Sequence, residues 1–332
     1  MKKLIPLFLA SLTAILVIVA LGCTTEEVTV SPATSIPTPE PKGPVILVDQ
    51  DWDGNLVTTA LAKLILEDEM GYTVETKFAP ADSAQLFEGL ATGEMHWVCC
   101  NWPSFSAALL EEYVDTGKVT SQGDAGILGT SHMYVPRYVI EGDAERGIEA
   151  VAPDLKNYAD LNQYAALFAT ADTSPKGRFL DFTPGWDYRN EERLAALGIN
   201  FEVVFSGSEA ASFAELDAAH KRGEPILLVI WTPHWAPVKY DLVPIELPAH
   251  SDCYPVSEKF DCGYMIDKVK KLTWPGLADG MPAANQFLNN FQLTNNQQTE
   301  MVILKTDEGK TDLEAAQTWK DANESIWKTW IP

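Results

Sequence analysis

The sequence predicts an α/β protein of two domains joined by two extended crossings. Three observations lead there. Strand-like and helix-like patterns alternate through most of the 332 residues. A helix-poor stretch, 123–139, splits that alternation in two. Tryptophans fall where strand-like runs give out, the place where open α/β sheets bind ligands.

Taken in order, residues 45–48 read as a strand. Across 55–70, Leu56, Ala60, Leu61, Leu64 and Ile65 share one helical face, and Gly71 stops that helix. Residues 72–78 alternate as a strand, 83–90 form a short helix, 95–100 a strand and 104–114 a helix. This βαβαβα order implies a largely parallel sheet. The stretch 123–139, with Tyr134-Val135-Pro136-Arg137-Tyr138, is read as an extended crossing. A second alternation follows: helix 154–168, strand 179–182, helix 191–197, strand 201–205, helix 208–220 and strand 226–230. The last is an apolar run entered from Gly223-Glu224-Pro225, as a fully buried strand is. Residues 242–247 return the chain, and helices near 282–290, 294–304 and 311–327 complete the first domain. The expected first domain is 44–134 with 244–332, and the second is 135–243. Trp274, Trp319, Trp327 and Trp330 lie away from the strand ends and are read as packing residues.

The N-terminus reads as an export signal over 1–22: Lys2 and Lys3, then an apolar run to Leu21, then Gly22. Cys23 after Gly22 is expected to carry a lipid; an uncleaved anchor is the alternative, and either puts the body outside the cytoplasm. Residues 23–43, rich in Thr, Ser and Pro, read as a tether. In an oxidising compartment, Cys253 and Cys262, flanking a polar loop, are expected to form a disulfide. Adjacent Cys99 and Cys100 sit in an apolar run and read as buried thiols. A formal charge of -23 argues against nucleic acid and anionic membrane surfaces as partners. No C-x-x-C, H-E-x-x-H, G-x-S-x-G or phosphate loop is present, so no metal, cofactor or catalytic machinery is implied.

The aromatic residues carry the functional reading. Trp52, Trp102, Trp186 and Trp231 follow or close strand-like runs beside Pro or Gly, and Tyr134 lies near the crossing. Rings from both domains would converge when such a clam-shell shuts. A quaternary ammonium ion has no N–H to donate, whereas aromatic faces meet its methyl groups and diffuse charge. Asp49, Asp51 and Asp53 beside Trp52 would favour a cation; the competing role for Asp53 or Asn55 is helix capping. The Pro184-Gly185 turn could present N–H groups to a ligand carboxylate, and Asp187 could accept from a ligand hydroxyl. A sugar site is the weaker alternative, because hydroxyl-binding groups do not accompany every Trp loop.

Several motifs resemble the substrate-binding proteins of ABC transporters for glycine betaine, proline betaine and choline. They are Leu66-Glu67 with Gly71-Tyr72-Thr73-Val74, Asn101-Trp102-Pro103, Pro184-Gly185-Trp186, and Trp231-Thr232-Pro233-His234-Trp235 with Lys239-Tyr240-Asp241-Leu242. The resemblance implies a two-lobed type II periplasmic binding-protein fold, no enzymatic activity, an ABC permease as partner, and a monomer held at the membrane by its lipid. It implies glycine betaine first and choline next as solute, with trimethylamine N-oxide as an alternative. Trp102, Trp186 and Trp231 match the betaine cage; Trp52, Trp102, Tyr134 and Trp231 match the choline cage. His234 lies within the motif, either near the ligand or as a turn residue satisfied by backbone. Ser106 stands where a betaine binder can carry His, and no Cys pair flanks the Pro-Gly-Trp turn, which leaves choline and trimethylamine N-oxide open.

Overall fold

The structure, a computed structural model, describes residues 43–332. The expected export signal, most of the expected tether and Cys23 lie outside the described residues. Within them, no helix is long and apolar enough to cross a membrane.

The strands are β1 (Val45–Asp49), β2 (Val74–Phe78), β3 (Trp97–Asn101), β4 (Thr120–Pro136), β5 (Gly177–Asp181), β6 (Phe201–Phe205), β7 (Leu227–Thr232), β8 (Leu242–Pro244) and β9 (Asp267–Thr273). They follow the order β2-β1-β3-β9-β4-β7-β5-β6, with β8 on β4. The 17-residue β4 serves two halves of this assembly. Its residues 120–129 pair with β9, and residues 130–136 pair with β7 and β8. The crossing read from the helix-poor stretch is therefore a single continuous strand.

Each half is mixed, not largely parallel as the alternation implied. Pairs β1–β2, β1–β3, β5–β6 and β5–β7 are parallel. β9 runs antiparallel between β3 and β4, and β4 runs antiparallel to β7. β9 was not anticipated, because Lys268, Lys270 and Lys271 give it the look of a solvated segment. Lys271 is in fact buried, 1% exposed, with its Nζ donating to the carbonyls of Asn289 and Phe291 at 2.5 and 2.7 Å. Burial pushes its amine down to about 8. Between pH 8 and the ordinary lysine value the unfolded chain then holds the extra proton, so stability rises with pH through this window. Lys271→Met should remove that rise, worth at most ~1.4 kcal/mol per pH unit; melting temperatures of both proteins across pH 7.5–10 check it.

The local chemistry fixes the helices around the sheet. Helix Ala84–Thr92 starts on Ser83, whose side chain accepts from Leu86 N–H, and ends on Gly93 in the left-handed region. Helix Glu209–Arg222 starts on Ser208 and ends on Gly223 in the same way. Helix Asp53–Asp68 has Trp52 at its N-cap and no side-chain cap. Capping by Asp53 or Asn55 is thus not what is found. Asn55 instead ties the helix to the sheet, accepting from Gln50 N–H at 2.7 Å and donating to Cys99 O at 3.1 Å. The expected helix over 154–168 is a 3-10 helix, Tyr158–Tyr164, followed by the short turn Ala165–Phe168.

Where β4 serves the first half, its outer side is met by side chain and loop. Asn295 accepts from Leu128 N–H at 2.9 Å and donates to Leu128 O at 2.7 Å. Leu293 N–H reaches Ala125 O at 2.9 Å. The return passage after β8 carries a Cys253–Cys262 disulfide. Beside it the Arg189 guanidinium lies about 5 Å from the rings of Tyr254 and Phe260, and that of Arg193 lies 4.0 Å from Tyr264. Cys99 and Cys100 are buried free thiols.

Candidate ligand-binding site

Trp52 is separated from the end of β1 by Gln50 and Asp51 and leads into helix Asp53–Asp68. Trp102 follows β3 and caps helix Pro103–Leu109, where Pro103 takes the first helical position. Trp231 is the penultimate residue of β7, and Trp186 ends the short helix Pro184–Trp186 after β5. Two half-sheets thus each send two indoles toward the same place. Trp52 stands edge-on to Trp102 at 6.3 Å and to Trp231 at 6.1 Å, and Trp186 stands edge-on to Trp231 at 5.4 Å. The four rings line one cavity of about 250 Å³, between the two halves.

Hydrogen bonds cross from one half to the other beside this cavity. Trp186 Nε1–H donates to Asp51 Oδ2 at 3.0 Å, and Asp53 N–H donates to Glu209 Oε2 at 2.9 Å. His234 supports the second. Ala236 N–H donates to His234 Nδ1 at 3.1 Å, so that nitrogen is an acceptor. Burial holds the imidazole at about 3, hence neutral, and its one proton sits on Nε2, facing Glu209 Oε1 at 3.3 Å. Burial also pushes the Glu209 carboxyl well above the usual range, with the charge of Asp53 adding to the rise. His234 does not line the cavity. It stacks on Phe213 at 4.6 Å and meets Trp231 edge-on at 4.7 Å, supporting that indole from behind.

Two other expected ligand residues also lie off the lining. Tyr134 is buried on β4, opposite Leu228 and Pro244, with its ring 5.9 Å from His132. The carboxylate of Asp53 pairs with Lys305 at 2.7 Å. Asp187 does line the cavity, as do three residues the sequence did not single out, Asp82, Phe105 and Tyr188. Phe105 and Tyr188 meet edge-on at 4.9 Å, closing one side.

Asp82 precedes the Ser83 cap, so in sequence it passes for an ordinary loop acid. Its oxygens accept from Trp102 N–H at 3.2 and 3.4 Å and from the Asn101 amide. Burial lifts its carboxyl well above the usual range, against the lowering effect of those two donors. The Pro184-Gly185 turn does not offer free donors. Gly185 N–H goes to Thr183 Oγ1, Trp186 N–H to Thr183 O and Asp187 N–H to Pro184 O. Ser106 is buried, bonded to Trp102 O and Asn101, and lies off the lining.

Comparison with known proteins bears on this arrangement. The profile of the substrate-binding domain of ABC-type glycine betaine transport systems (OpuAC) matches residues 43–322. A trimethylamine N-oxide-binding protein of Pelagibacter ubique is 27% identical over 294 residues, 86% of this chain and 90% of its own. The glycine betaine/carnitine transport binding protein GbuC of Listeria monocytogenes is 30% identical over 125 residues, 38% of each chain. Among solved structures, the glycine/betaine/L-proline-binding protein of Borrelia burgdorferi superposes with a TM-score of 0.68 at 21% identity, covering 87% of this chain and 97% of its own. Lactococcal OpuAC, closed on glycine betaine, superposes with a TM-score of 0.66 at 20% identity, covering 87% and 99%. These likenesses show the two-lobed binding-protein fold, to which the two half-sheets correspond.

Proposed function

We propose how this chain, which belongs to the family of substrate-binding domains of ABC-type glycine betaine transport systems, takes hold of its solute: a trimethylammonium head sits among Trp52, Trp102, Trp186 and Trp231. The observation that carries this reading is the convergence of four indoles, two from each half, on one cavity of about 250 Å³. Each ring face contributes roughly 0.5–2 kcal/mol to a cation. Four faces, less the cost of ordering, fit a dissociation constant on the order of micromolar, about −8 kcal/mol.

Capture works by closure of lobe on lobe. A ligand touching rings from both halves favours the closed state by the difference of its affinities for the two states. The Trp186–Asp51 and Asp53–Glu209 hydrogen bonds add contacts that exist only when the lobes meet. The first lobe comprises residues 44–134 and 244–332 and the second 135–243, with β4 as one connection and the segment after β8 as the other. Residues 1–22 export the chain, Cys23 anchors it by a lipid, and the protein works as a monomer handing solute to the permease of an ABC importer. No step calls for catalysis.

Isothermal titration calorimetry of the purified protein with glycine betaine, choline, carnitine and trimethylamine N-oxide tests the reading. At least one should bind with a micromolar constant. Absence of heat with all four would remove the cage as a functional site. Trimethylamine N-oxide belongs in the panel because the Pelagibacter ubique relative that binds it matches over 86% of this chain.

A further inference from the structure

The cage lining carries two carboxyl side chains, Asp82 and Asp187, and no Lys, Arg or His. We propose that the site selects a methylated ammonium ligand bearing no carboxylate, with Asp82, seconded by Asp187, as the selecting group. The inference rests on the cage reading above and narrows its solute.

The backbone donors of the Pro184-Gly185 turn and the Ser106 hydroxyl are already engaged. The N–H groups of Gly185, Trp186 and Asp187 bond within their own turn. The Ser106 hydroxyl is buried and bonded to Trp102 O and the Asn101 amide. In glycine betaine one methylene separates the carboxylate from the ammonium nitrogen. A cavity of about 250 Å³ that cages the head therefore also contains the carboxylate. It would lie among indole faces and two acids, with no Lys, Arg or His side chain on the lining to receive it.

Asp82 is fixed against one wall of the cage, since it accepts from the backbone N–H of Trp102 itself. The charges that weigh on it most are those of Asp267 and Asp51, both acidic. Asp187 has the Arg189 guanidinium 3.7 Å away and is the weaker of the two. Both acids hold left-handed backbone, φ +50° and +35°, a conformation that costs energy for a non-glycine residue. A ligand cation supplies Asp82 with a counter-charge. A ligand with a hydroxyl in place of the carboxylate brings no second anion to oppose it.

Titration calorimetry at pH 7.5 with choline, trimethylamine N-oxide and glycine betaine tests this on the intact protein. Choline should bind at least tenfold tighter than glycine betaine. Asp82→Asn keeps an oxygen to accept from Trp102 N–H but removes the charge, and should cut that preference to threefold or less. Asp187→Asn should narrow it by a smaller factor and stands in if Asp82→Asn does not fold. Glycine betaine binding as tightly as choline, or tighter, overturns the inference while leaving the cage intact. A preference unchanged in both variants overturns the assignment to the acids. No heat with any of the three overturns the cage reading itself.

Discussion

Replacing Trp231 by Ala should weaken binding of the preferred methylated ammonium ligand by about a hundredfold, ~2.7 kcal/mol. One lost ring face contributes roughly 0.5–2 kcal/mol. The remainder comes from what Trp231 holds in place. Its ring touches those of Trp52, Trp186, Phe182 and His234, at 6.1, 5.4, 5.1 and 4.7 Å. Removing it frees both Trp52 and Trp186, from opposite lobes, to shift. Truncating so large a buried side chain also lowers stability by roughly 3–5 kcal/mol, so circular dichroism must confirm folding at the titration temperature. Trp231→Phe keeps a ring at the position and should lose about tenfold or less. Normal affinity in a folded Trp231→Ala protein would dissolve the cage assignment.

Gly129→Ala should cost at least tenfold in affinity, although Gly129 lines no part of the cavity. A Cβ there would stand 2.2 Å from Cη2 and Cζ3 of Trp102. Real carbon contacts do not come so close, so the indole must slide toward the ligand or β4 must bend away. Such overpacking costs typically 1–3 kcal/mol in stability, and here the strain falls on one wall of the site. Gly280→Ala is the control, since a Cβ at Gly280 meets nothing within 4 Å. Equal ligand affinity for the two variants would show that the Trp102 ring has room the geometry does not reveal.

Trp102, Trp186 and Trp231 were legible because each has a Pro or Gly within two residues, and Trp52 because it follows closely on an apolar run, which gives a strand end a signature in one dimension. The alternation of elements was legible for the same reason. What escaped was whatever depends on pairing between distant segments. β9 arrives more than 160 residues after its partner β3, and its lysines hide a strand whose buried amine is satisfied by two carbonyls. The parallel sheet inferred from alternation fails at that strand. Asp82 escaped because a loop acid before a serine cap has an ordinary local explanation. Tyr134, an aromatic residue beside the crossing, has its ring 5.9 Å from that of His132 on the same strand and lies off the cavity lining. His234 was read as a turn residue or a ligand contact; its Nδ1 does serve the turn, while its Nε2 faces Glu209 from the same lobe.

The Asn295 side chain on β4 has a consequence for behaviour in a crowd. A strand with one flank unpaired presents a row of amides and carbonyls on which a strand of another molecule can add. Asn295 fills two of those places at Leu128 with an amide that mimics a neighbouring backbone, and Leu293 fills a third at Ala125. With those places occupied from within, two copies meeting in solution find no template there for joining edge to edge.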